Sequence, residues 1–511
     1  MKVLINNFHK GVSSDLRIND LAFSRVCRHF DNYTAKHRLV PFRDMEAGDT
    51  GATTNKLTAF VLYSENIYAL GVTSGGTKAE IYVSSSISNP SWAIEHAAAT
   101  DGTDTATSFT LFVLYSDGTN HRLYGAATNR IWHYDISGNS FTSTTGGGGI
   151  SFSTVTQGFV GSDDILYFAA TNGTSGATTS ALYKKDGTNN IASALTLPKN
   201  MIATDICEFG EYIAIGMKPA DTGGSARRSR VILWDRAATT WNESYFLDGD
   251  LQALKVVDGY LFAITSFGGT TQIQQKLVFS YLSGTKFQFY KELPIGGSTA
   301  ITIVAPQVYN NRLYFGLTAD SPGGTTDDYS GVWSFGRTSP NEPFSLIFDR
   351  QANTTAGVVD VVNGLFIAND YMFINYTSNG VAANVLNKTN DSAAYVTTAV
   401  YETLILNEGD PSVTKKLKSV TIMTEPLAAG AQVVVKLKKD ADTSFVTTDT
   451  YGTTVLTHST DGDVRKTAVN DSTGAELPQY KEIAFRLEST GGAVITGLKY
   501  QYGIITDDVI D

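Results

Sequence analysis

The 511-residue chain has little that would hold it together by covalent or metal chemistry. It contains only two cysteines, Cys27 and Cys207, which lie far apart in the sequence. Two distant cysteines make no disulfide framework, so nothing in the sequence requires an oxidising compartment. Its seven histidines show no pairing at the spacing of metal ligands. We therefore predict neither a metal site nor a cofactor.

Long apolar runs and charged residues are also scarce. The opening MKVLINNF is interrupted at Asn6 and Asn7, which leaves it too short for a signal peptide. No run approaches the roughly 18 apolar residues of a membrane span. Only 17% of the residues are charged, and the net charge of −11 argues against a general nucleic-acid-binding surface. We expect a protein without a membrane span that is made and assembled in a cytoplasm.

Catalytic signatures are missing as well. The sequence contains no GxSxG, no HExxH and no P-loop. Part of a sialidase-type Asp box occurs at Tyr115-Ser116-Asp117-Gly118-Thr119, but it lacks the Trp and does not recur. Asp135 and Asp235 follow aromatic strands at equivalent positions, and this recurrence favours turn capping over a single catalytic acid. We expect no enzyme; a glycan hydrolase, with two carboxylates ~5–10 Å apart, is the least favoured alternative.

The middle of the chain is rich in one recurring pattern, a turn followed by an apolar run with an aromatic and a small residue. The clearest copy is LYFAATNG, from Leu166 to Gly173. A short apolar run between turn residues predicts a strand that is buried on both faces. The equivalent positions, at intervals of 56, 43, 47, 48, 52 and 52 residues, are Ile67, Leu123, Leu166, Ile213, Leu261, Leu313 and Leu365.

Self-similarity with a period of about 40–50 residues, built only from strands, is typical of a β-propeller. The 47 Gly, 25 Tyr and 26 Phe also indicate an all-β protein. We predict that residues 51–394 form one propeller of six or seven blades. With six blades, the unit after Leu365 would pair with residues near 56–64 to close the ring. The competing interpretation is the inner strands of a large sandwich or a β-helix.

The two ends of the chain differ from the repeats. Residues 1–50 contain 8 Lys or Arg and 6 Asp or Glu, and they lie outside the repeat. We predict an N-terminal docking arm that is not needed to complete a blade; the alternative is an ordinary strand and loop. From residue 395 to 511, apolar and polar residues alternate instead, as at Val420 and Ile422. This period of two predicts a C-terminal β-sandwich resembling a jelly roll.

Two groups of arginines are candidate contact sites, because mixtures of Arg with aromatic and apolar residues are enriched at protein interfaces. The candidate assembly interface in the arm consists of Arg17, Leu21, Phe23, Arg25, Arg28, Phe30, Tyr33 and Arg38. The candidate partner-contact loop contains Arg227, Arg228 and Arg230. Such a cluster can hold phosphate, but in an acidic protein it more often stays solvated or pairs with acids of a partner.

The opening segment contains a set of spaced residues and short motifs: Gly11, Asp15, Asp20, Phe30-Asp31-Asn32-Tyr33 and Leu39-Val40-Pro41. With these residues it resembles the start of bacteriophage tail proteins. The stretch from Pro411 to Ile422 is similar to a β-sandwich of the same kind of protein. The nearest type is the nozzle, or tail hub, of short-tailed phages, a ring of propeller-bearing subunits.

This resemblance implies a structural virion protein of the tail, assembled in the host cytoplasm. It implies a cyclic homo-oligomer, a hexamer, that contacts other tail and portal-proximal proteins and forms part of the DNA ejection conduit. Residues 51–394 carry 20 basic and 28 acidic side chains, and an acidic wall would repel passing phosphate. The alternative is a receptor- or carbohydrate-binding propeller at the tail tip, which exposed aromatics such as Trp92 and Trp241 would favour.

Overall fold

In the computed structural model the chain is built from strands and turns. The described residues form 41 strands and no helix, so the all-β prediction is confirmed for them. The structure describes residues 1–13, 21–31, 37–48, 56–72, 79–96, 112–127, 130–144, 152–172, 178–187, 189–220, 228–268, 275–296, 301–319, 329–351, 360–378, 383–440 and 453–505.

The first five strands are short. They are β1 (Lys2–Ile5), β2 (Ser24–Arg28), β3 (Phe30–Asp31), β4 (Val40–Pro41) and β5 (Met45–Ala47). Strands β3 and β4 pair with each other, whereas β1, β2 and β5 each join a different sheet formed by later parts of the chain. The N-terminal segment therefore does not fold as a unit of its own.

Seven antiparallel sheets then follow one another along the chain, in the order expected of propeller blades. The first contains β6 (Lys56–Tyr63), β7 (Asn66–Val72), β8 (Ala79–Ser84) and β9 (Ala93–His96). The second contains β10 (Phe112–Ser116), β11 (His121–Ala127), β12 (Arg130–Asp135) and β13 (Ser140–Thr144). The third contains β14 (Thr154–Val155), β15 (Phe159–Val160), β16 (Leu166–Asn172), β17 (Thr179–Lys185) and β18 (Ala192–Thr196).

The next sheets repeat this plan. The fourth contains β19 (Met201–Phe209), β20 (Tyr212–Pro219), β21 (Arg228–Trp234) and β22 (Glu243–Asp248). The fifth contains β23 (Asp250–Val257), β24 (Tyr260–Phe267), β25 (Gln275–Ser283) and β26 (Lys286–Ile295). The sixth contains β27 (Ile303–Tyr309), β28 (Arg312–Leu317), β29 (Gly331–Gly336) and β30 (Ser345–Gln351). The seventh contains β31 (Asp360–Ala368), β32 (Tyr371–Ser378) and β33 (Ala383–Thr389), and β5 is its fourth strand.

Six of the seven repeat positions fall in the second strand of a sheet's hydrogen-bonded order, which is β16 in the third sheet. Leu365 does not. It lies in β31, the first strand of the seventh sheet. The second strand, β32, follows the turn at Asn369 and Asp370, which both have positive φ. Asn and Asp tolerate the left-handed conformation that a tight hairpin needs. The sequence pattern was therefore misassigned by one strand in the last repeat.

Neighbouring sheets pack face to face and are also tied by hydrogen bonds. Leu166 is fully buried, as the repeat pattern predicts. The N–H of Leu251 in the fifth sheet donates to Ser229 Oγ of the fourth sheet at 2.8 Å. At Gly216 a Cβ would come within 2.2 Å of the Leu251 side chain, so only glycine allows this close packing.

The first and seventh sheets are also in contact. The N–H of Leu57 donates to Asn375 Oδ1 at 3.1 Å, and the rings of Phe60 and Phe366 stack with centroids 5.8 Å apart. A Cβ at Gly364 would lie 2.6 Å from the carbonyl oxygen of Leu57. The last sheet therefore packs on the first one.

Strand β5 completes the seventh sheet by pairing with β33. Glu46 forms an ion pair with Lys388, and Trp92 of the first sheet donates from Nε1 to the carbonyl oxygen of Gly48 at 2.9 Å. The expectation that the N-terminal arm is not needed to complete a blade is thus wrong. Without β5 the outer edge of β33 would be an unpaired strand edge.

The remaining strands form two sheets near the C-terminus. They are β34 (Ala399–Thr403), β35 (Lys415–Thr424), β36 (Gln432–Lys439), β37 (Thr453–His458), β38 (Arg465–Ala468), β39 (Gln479–Tyr480), β40 (Ile483–Thr490) and β41 (Ile495–Ile504). One sheet has the order β1-β41-β35-β38, with β39 also on β35; the other contains β34-β40-β36-β37. Buried residues of both sheets, such as Val433, Phe485 and Tyr500, share one core.

Strand β2 connects this C-terminal part to the sixth sheet. It pairs antiparallel with β34 and meets β30 in a parallel bridge between Arg28 and Phe348. The result is a nine-stranded sheet that runs from β27 through β2 to β37. Strand β2 therefore pairs with two strands that lie more than 300 residues later in the sequence.

Candidate functional surfaces

Most described members of the candidate assembly interface contact their own chain. Arg25 lies 3.5 Å from Glu402, and Arg486 approaches the same carboxylate at 3.3 Å. Glu402 is almost fully buried, so these arginines compensate a charge that would otherwise be costly. Arg28 holds the backbone bridge between β2 and β30. These arginines thus have structural contacts within the subunit.

Phe30 is fully buried in the core between the two C-terminal sheets, and Leu21 packs against that core. This burial corrects the expectation that Phe30 offers a surface to another chain. Arg38, by contrast, is half exposed and forms an ion pair with Glu425 at 2.5 Å. Arg17 and Tyr33 lie outside the described residues. Whether the exposed remainder contacts a neighbouring chain stays a prediction.

Phe23 lies between two ammonium groups. Lys10 Nζ and Lys291 Nζ are 5.3 and 5.2 Å from its ring centroid, distances at which a cation attracts the ring face. Lys291 also donates to the carbonyl oxygen of Lys10 at 3.3 Å. Burial lowers the pKa of Lys291 to about 7. The N-terminal segment therefore covers a lysine that would otherwise reach solvent.

A buried polar cluster surrounds the end of β2. His29 has φ of 63° and is buried, and burial lowers its pKa to about 3. The guanidinium of Arg350 lies 3.6 Å from the ring centroid of Phe42, and burial lowers the pKa of Arg350 to about 10. Burial also disfavours the charged form of Asp349 and so raises the pKa of its carboxyl. These groups fix the segment to the sixth sheet.

Arg228 and Arg230 lie in strand β21, not in a loop, which corrects their expected location. Arg228 pairs with Asp248 at 3.2 Å, and both side chains are largely exposed. Arg230 donates to Ser244 Oγ at 2.5 Å and lies within 5.3 Å of the rings of Trp241 and Phe246. Phe246 is 61% exposed. Arg227 lies outside the described residues.

The rings of the two candidate sugar-binding tryptophans, Trp92 and Trp241, are not accessible for stacking. Trp92 is buried between the first sheet and the end of β5. Trp241 is partly buried, and the guanidinium of Arg230 lies over its ring. Neither ring presents the open face on which a sugar would stack.

The aspartates of the sequence motifs cap turns. Asp117 accepts hydrogen bonds from the N–H groups of Thr119 and Asn120 at 3.0 and 2.8 Å. Asp135 accepts from Gly138 N–H at 3.0 Å, and Asp235 accepts from Ala238 N–H at 2.8 Å. These bonds lower the pKa of both Asp135 and Asp235. The predicted turn-capping role of Asp135 and Asp235 is confirmed.

Two carboxylate pairs of the described residues flank an arginine. Arg122 lies between Asp117 and Asp135, and Arg236 lies between Asp163 and Glu208. Arginine neutralises both acids, and neither pair contains the protonated acid that glycoside hydrolysis needs. In the described parts of the chain no three His, Cys, Asp or Glu residues are placed to hold a metal ion. Burial raises the pKa of the Cys27 thiol, which makes it unreactive.

A helix long and apolar enough to cross a membrane does not occur in the described ranges.

No family model matches the sequence, and no curated protein matches it either.

Several solved structures are similar in fold at low identity. The Dos1 propeller is 11% identical, with 68% of this chain and 95% of that chain covered and a TM-score of 0.41. The Cps50 (Swd1) β-propeller domain of Myceliophteria thermophila is 9% identical, with 68% and 99% covered and a TM-score of 0.41. A prolyl endopeptidase is 9% identical, with a TM-score of 0.36. The match covers 68% of this chain but only 54% of that enzyme. These similarities concern the fold and carry no activity over to this chain.

Proposed function

We propose that the chain is a structural subunit of a bacteriophage tail, forming a nozzle- or hub-like ring that is part of the DNA ejection conduit. Its fold, in this proposal, is a closed seven-bladed β-propeller followed by a C-terminal β-sandwich. The resemblance of the opening segment and of Pro411 to Ile422 to tail proteins is the starting point.

Closure of the propeller is supported by the contacts between its first and last sheets. The bond from Leu57 to Asn375, the stack of Phe60 on Phe366 and the fourth strand β5 all lie at this junction. The seventh sheet combines β31–β33 with β5 of the N-terminal segment, so opening the propeller at this junction would also have to break the contacts of β5 and its flank with β33 and Trp92. Such a ring suits a component that withstands force during ejection.

The observation that carries the structural role is the linkage of the three parts by the N-terminal segment. Strands β1, β2 and β5 tie the C-terminal sheets, the sixth sheet and the seventh sheet into one body. The buried groups at these junctions are used for packing and ion pairs, as at Glu402 and Phe30. Catalysis would require a pocket with an activated nucleophile or base, and no carboxylate pair described above has that chemistry.

The proposal is tested on intact particles. Gold-labelled antibodies raised against the purified chain should bind the tail end of phage particles that carry it. Labelling of capsids only, or of no particle, would contradict a tail component.

A second role, contact with a receptor at the tail tip, is favoured by the patch formed by Arg230, Trp241 and Phe246. Phe246 is the exposed ring of this patch, and Arg and Trp are enriched among the residues that dominate binding energy at interfaces. Phe246→Ala should then reduce adsorption of particles to cells without changing their assembly. Unchanged adsorption would leave the patch without this role.

A further inference from the structure

One sheet near the C-terminus is basic although the protein is acidic. Strands β1, β35, β38 and β41 contain 28 residues, of which seven are Lys or Arg and none is Asp or Glu. The whole chain has 39 basic and 50 acidic residues. The absence of any acid in these four paired strands concentrates positive charge on one sheet.

The strand register shows which of these residues face outward. Leu498, Tyr500 and Ile422 point into the core shared with the other sheet. Residues one position away point outward, since side chains alternate along a strand. On this outer face lie Lys2, Leu4, Lys418, Thr421, Met423, Arg465, Thr467, Lys499 and Gln501.

Four of these outward residues are basic: Lys2, Lys418, Arg465 and Lys499. Lys2, Lys418 and Arg465 are exposed, Lys499 is half-buried, and none of the four forms an ion pair with a described residue. The other basic residues of the sheet have partners; Lys416, for example, pairs with Glu476 at 2.5 Å. Four strands about 4.8 Å apart place the four charges on a face roughly 15 Å wide.

This face also has apolar side chains at its surface and margins. Five of the twelve large apolar side chains exposed in the described residues lie on this sheet or beside it: Met1, Leu4, Val464, Val469 and Ile504. Its outward positions carry no aromatic residue on which a nucleic-acid base would stack. Basic groups beside apolar ones favour an acidic protein surface as the partner, because opposite charges steer and align the two surfaces.

A complementary acidic surface exists on the same chain. In each of the seven sheets a loop leads into the second strand of the hydrogen-bonded order, which is β16 in the third sheet. Together these seven loops contain seven acids and no base. The acids are Glu65, Asp117, Asp163, Asp164, Glu211, Asp258 and Asp370. Neighbouring hairpins lie side by side where the structure links them: Tyr309, at the end of β27, donates to Asp370 of the seventh sheet at 3.0 Å, and Ser162 N–H of the third donates to Glu208, at the end of β19, at 3.2 Å.

Some of these acids are already compensated. Asp117, Asp163 and Asp258 pair with Arg122, Arg236 and Arg337. Glu65, Asp164 and Glu211 are exposed and form no ion pair with a described residue. They leave a net negative hairpin surface that can meet positive charge.

We propose that the basic outer face of the β1-β41-β35-β38 sheet binds the acidic hairpin surface of a second copy of this chain. The contact joins two different patches, so it is heterologous, and repeated contacts build a ring when the rotation between copies closes. The inference rests on the proposed ring and names the surfaces that hold it together. It also implies association that weakens with salt, because exposed charges are screened.

The test reverses charge on one face. Lys418→Glu combined with Lys499→Glu should weaken association on the order of 100-fold or more, measured by size-exclusion chromatography with light scattering at low and high salt. The matched control, Lys199→Glu combined with Lys439→Glu, makes the same change in net charge at exposed positions away from this face and should assemble normally. Melting temperatures of all variants should match the wild type.

A complementary pair completes the design. Glu65→Lys combined with Glu211→Lys should also fail to assemble alone, but a mixture with the Lys418 and Lys499 variant should assemble with alternating copies. Assembly of the Lys418 and Lys499 variant alone, equal to the wild type, would overturn the assigned surfaces and leave the ring intact. A wild type that is monomeric at every salt concentration would overturn the ring itself and this contact with it.

Discussion

Phe30→Ala separates a core residue from an interface residue. Phe30 is fully buried in the core between the C-terminal sheets. A buried aromatic side chain removes about 150–250 Å² from water, and at about 25 cal/mol per Å² this is worth roughly 4–6 kcal/mol. Core Phe→Ala substitutions cost about 3–5 kcal/mol, which agrees with that figure. With an unfolding entropy of about 2.1 cal/mol/K per residue over the 511 residues, we expect the melting temperature to fall by roughly 3–5 °C.

The control is Arg38→Ala, a neighbouring residue of the same predicted interface. Arg38 is 52% exposed and pairs with Glu425, and an exposed pair of this kind contributes about 0–1 kcal/mol. Differential scanning fluorimetry at low protein concentration should show a large shift for Phe30→Ala and almost none for Arg38→Ala. Equal small shifts, with loss of assembly only for Phe30→Ala, would refute the assignment of Phe30 to the subunit core.

Three further substitutions test separate features. Leu166→Asp places a charge between packed sheets and should prevent soluble expression, whereas a wild-type melting curve would contradict its buried position. The pKa of His29 is about 3 in the folded chain, below its ordinary 6.5, so unfolding binds a proton and stability falls as pH drops from 6.5 to 3. His29→Asn should flatten that slope in denaturant titrations and exposed His37→Asn should not; equal slopes would exclude His29. The pKa of Lys291 is about 7 in the folded chain, below its ordinary 10.5, so the free energy of unfolding should rise with pH between these values. Lys291→Met should abolish this rise. A rise that persists in the variant would show that another group causes the pH dependence.

The repeat was predictable because its signal is local. A turn, an apolar run and a small residue recur in the second strands, and strands such as β16 and β24 lie where the pattern places them. The last repeat was shifted because Leu365 also lies in an apolar strand behind a turn, and local sequence does not distinguish a first from a second strand. The tight turn at Asn369 and Asp370 was the available signal.

The role of the N-terminal segment could not be predicted in the same way. Strand β5 is the three residues Met45–Ala47, too short for any periodicity, and it pairs with a strand more than 300 residues later. The mixture of arginine with aromatic and apolar residues around Phe30 and Arg25 predicts contact with another chain, whereas the structure places both in contacts within their own chain. Composition does not show whether the contact is with another copy or within the same chain, because burial within and between chains uses the same residue types.

Of the two charged surfaces, one has a local signal in the sequence and the other does not. The acidic hairpins could be recognised from the sequence, because they recur at the same place in each repeat. The basic face required the structure, because it brings together strands from both ends of the chain, with Lys2 beside Gln501. Only the pairing of β1, β35, β38 and β41 shows that their lysines share one face.

If this chain works as a subunit of a symmetric ring, as we propose, the mass of the purified assembly is a multiple of the mass of one chain. Native mass spectrometry should show six copies of the 55.0 kDa chain, about 330 kDa, at low ionic strength. Raising the ionic strength should shift that species towards single chains. A mass of 55.0 kDa alone, at every concentration and ionic strength, would contradict the account.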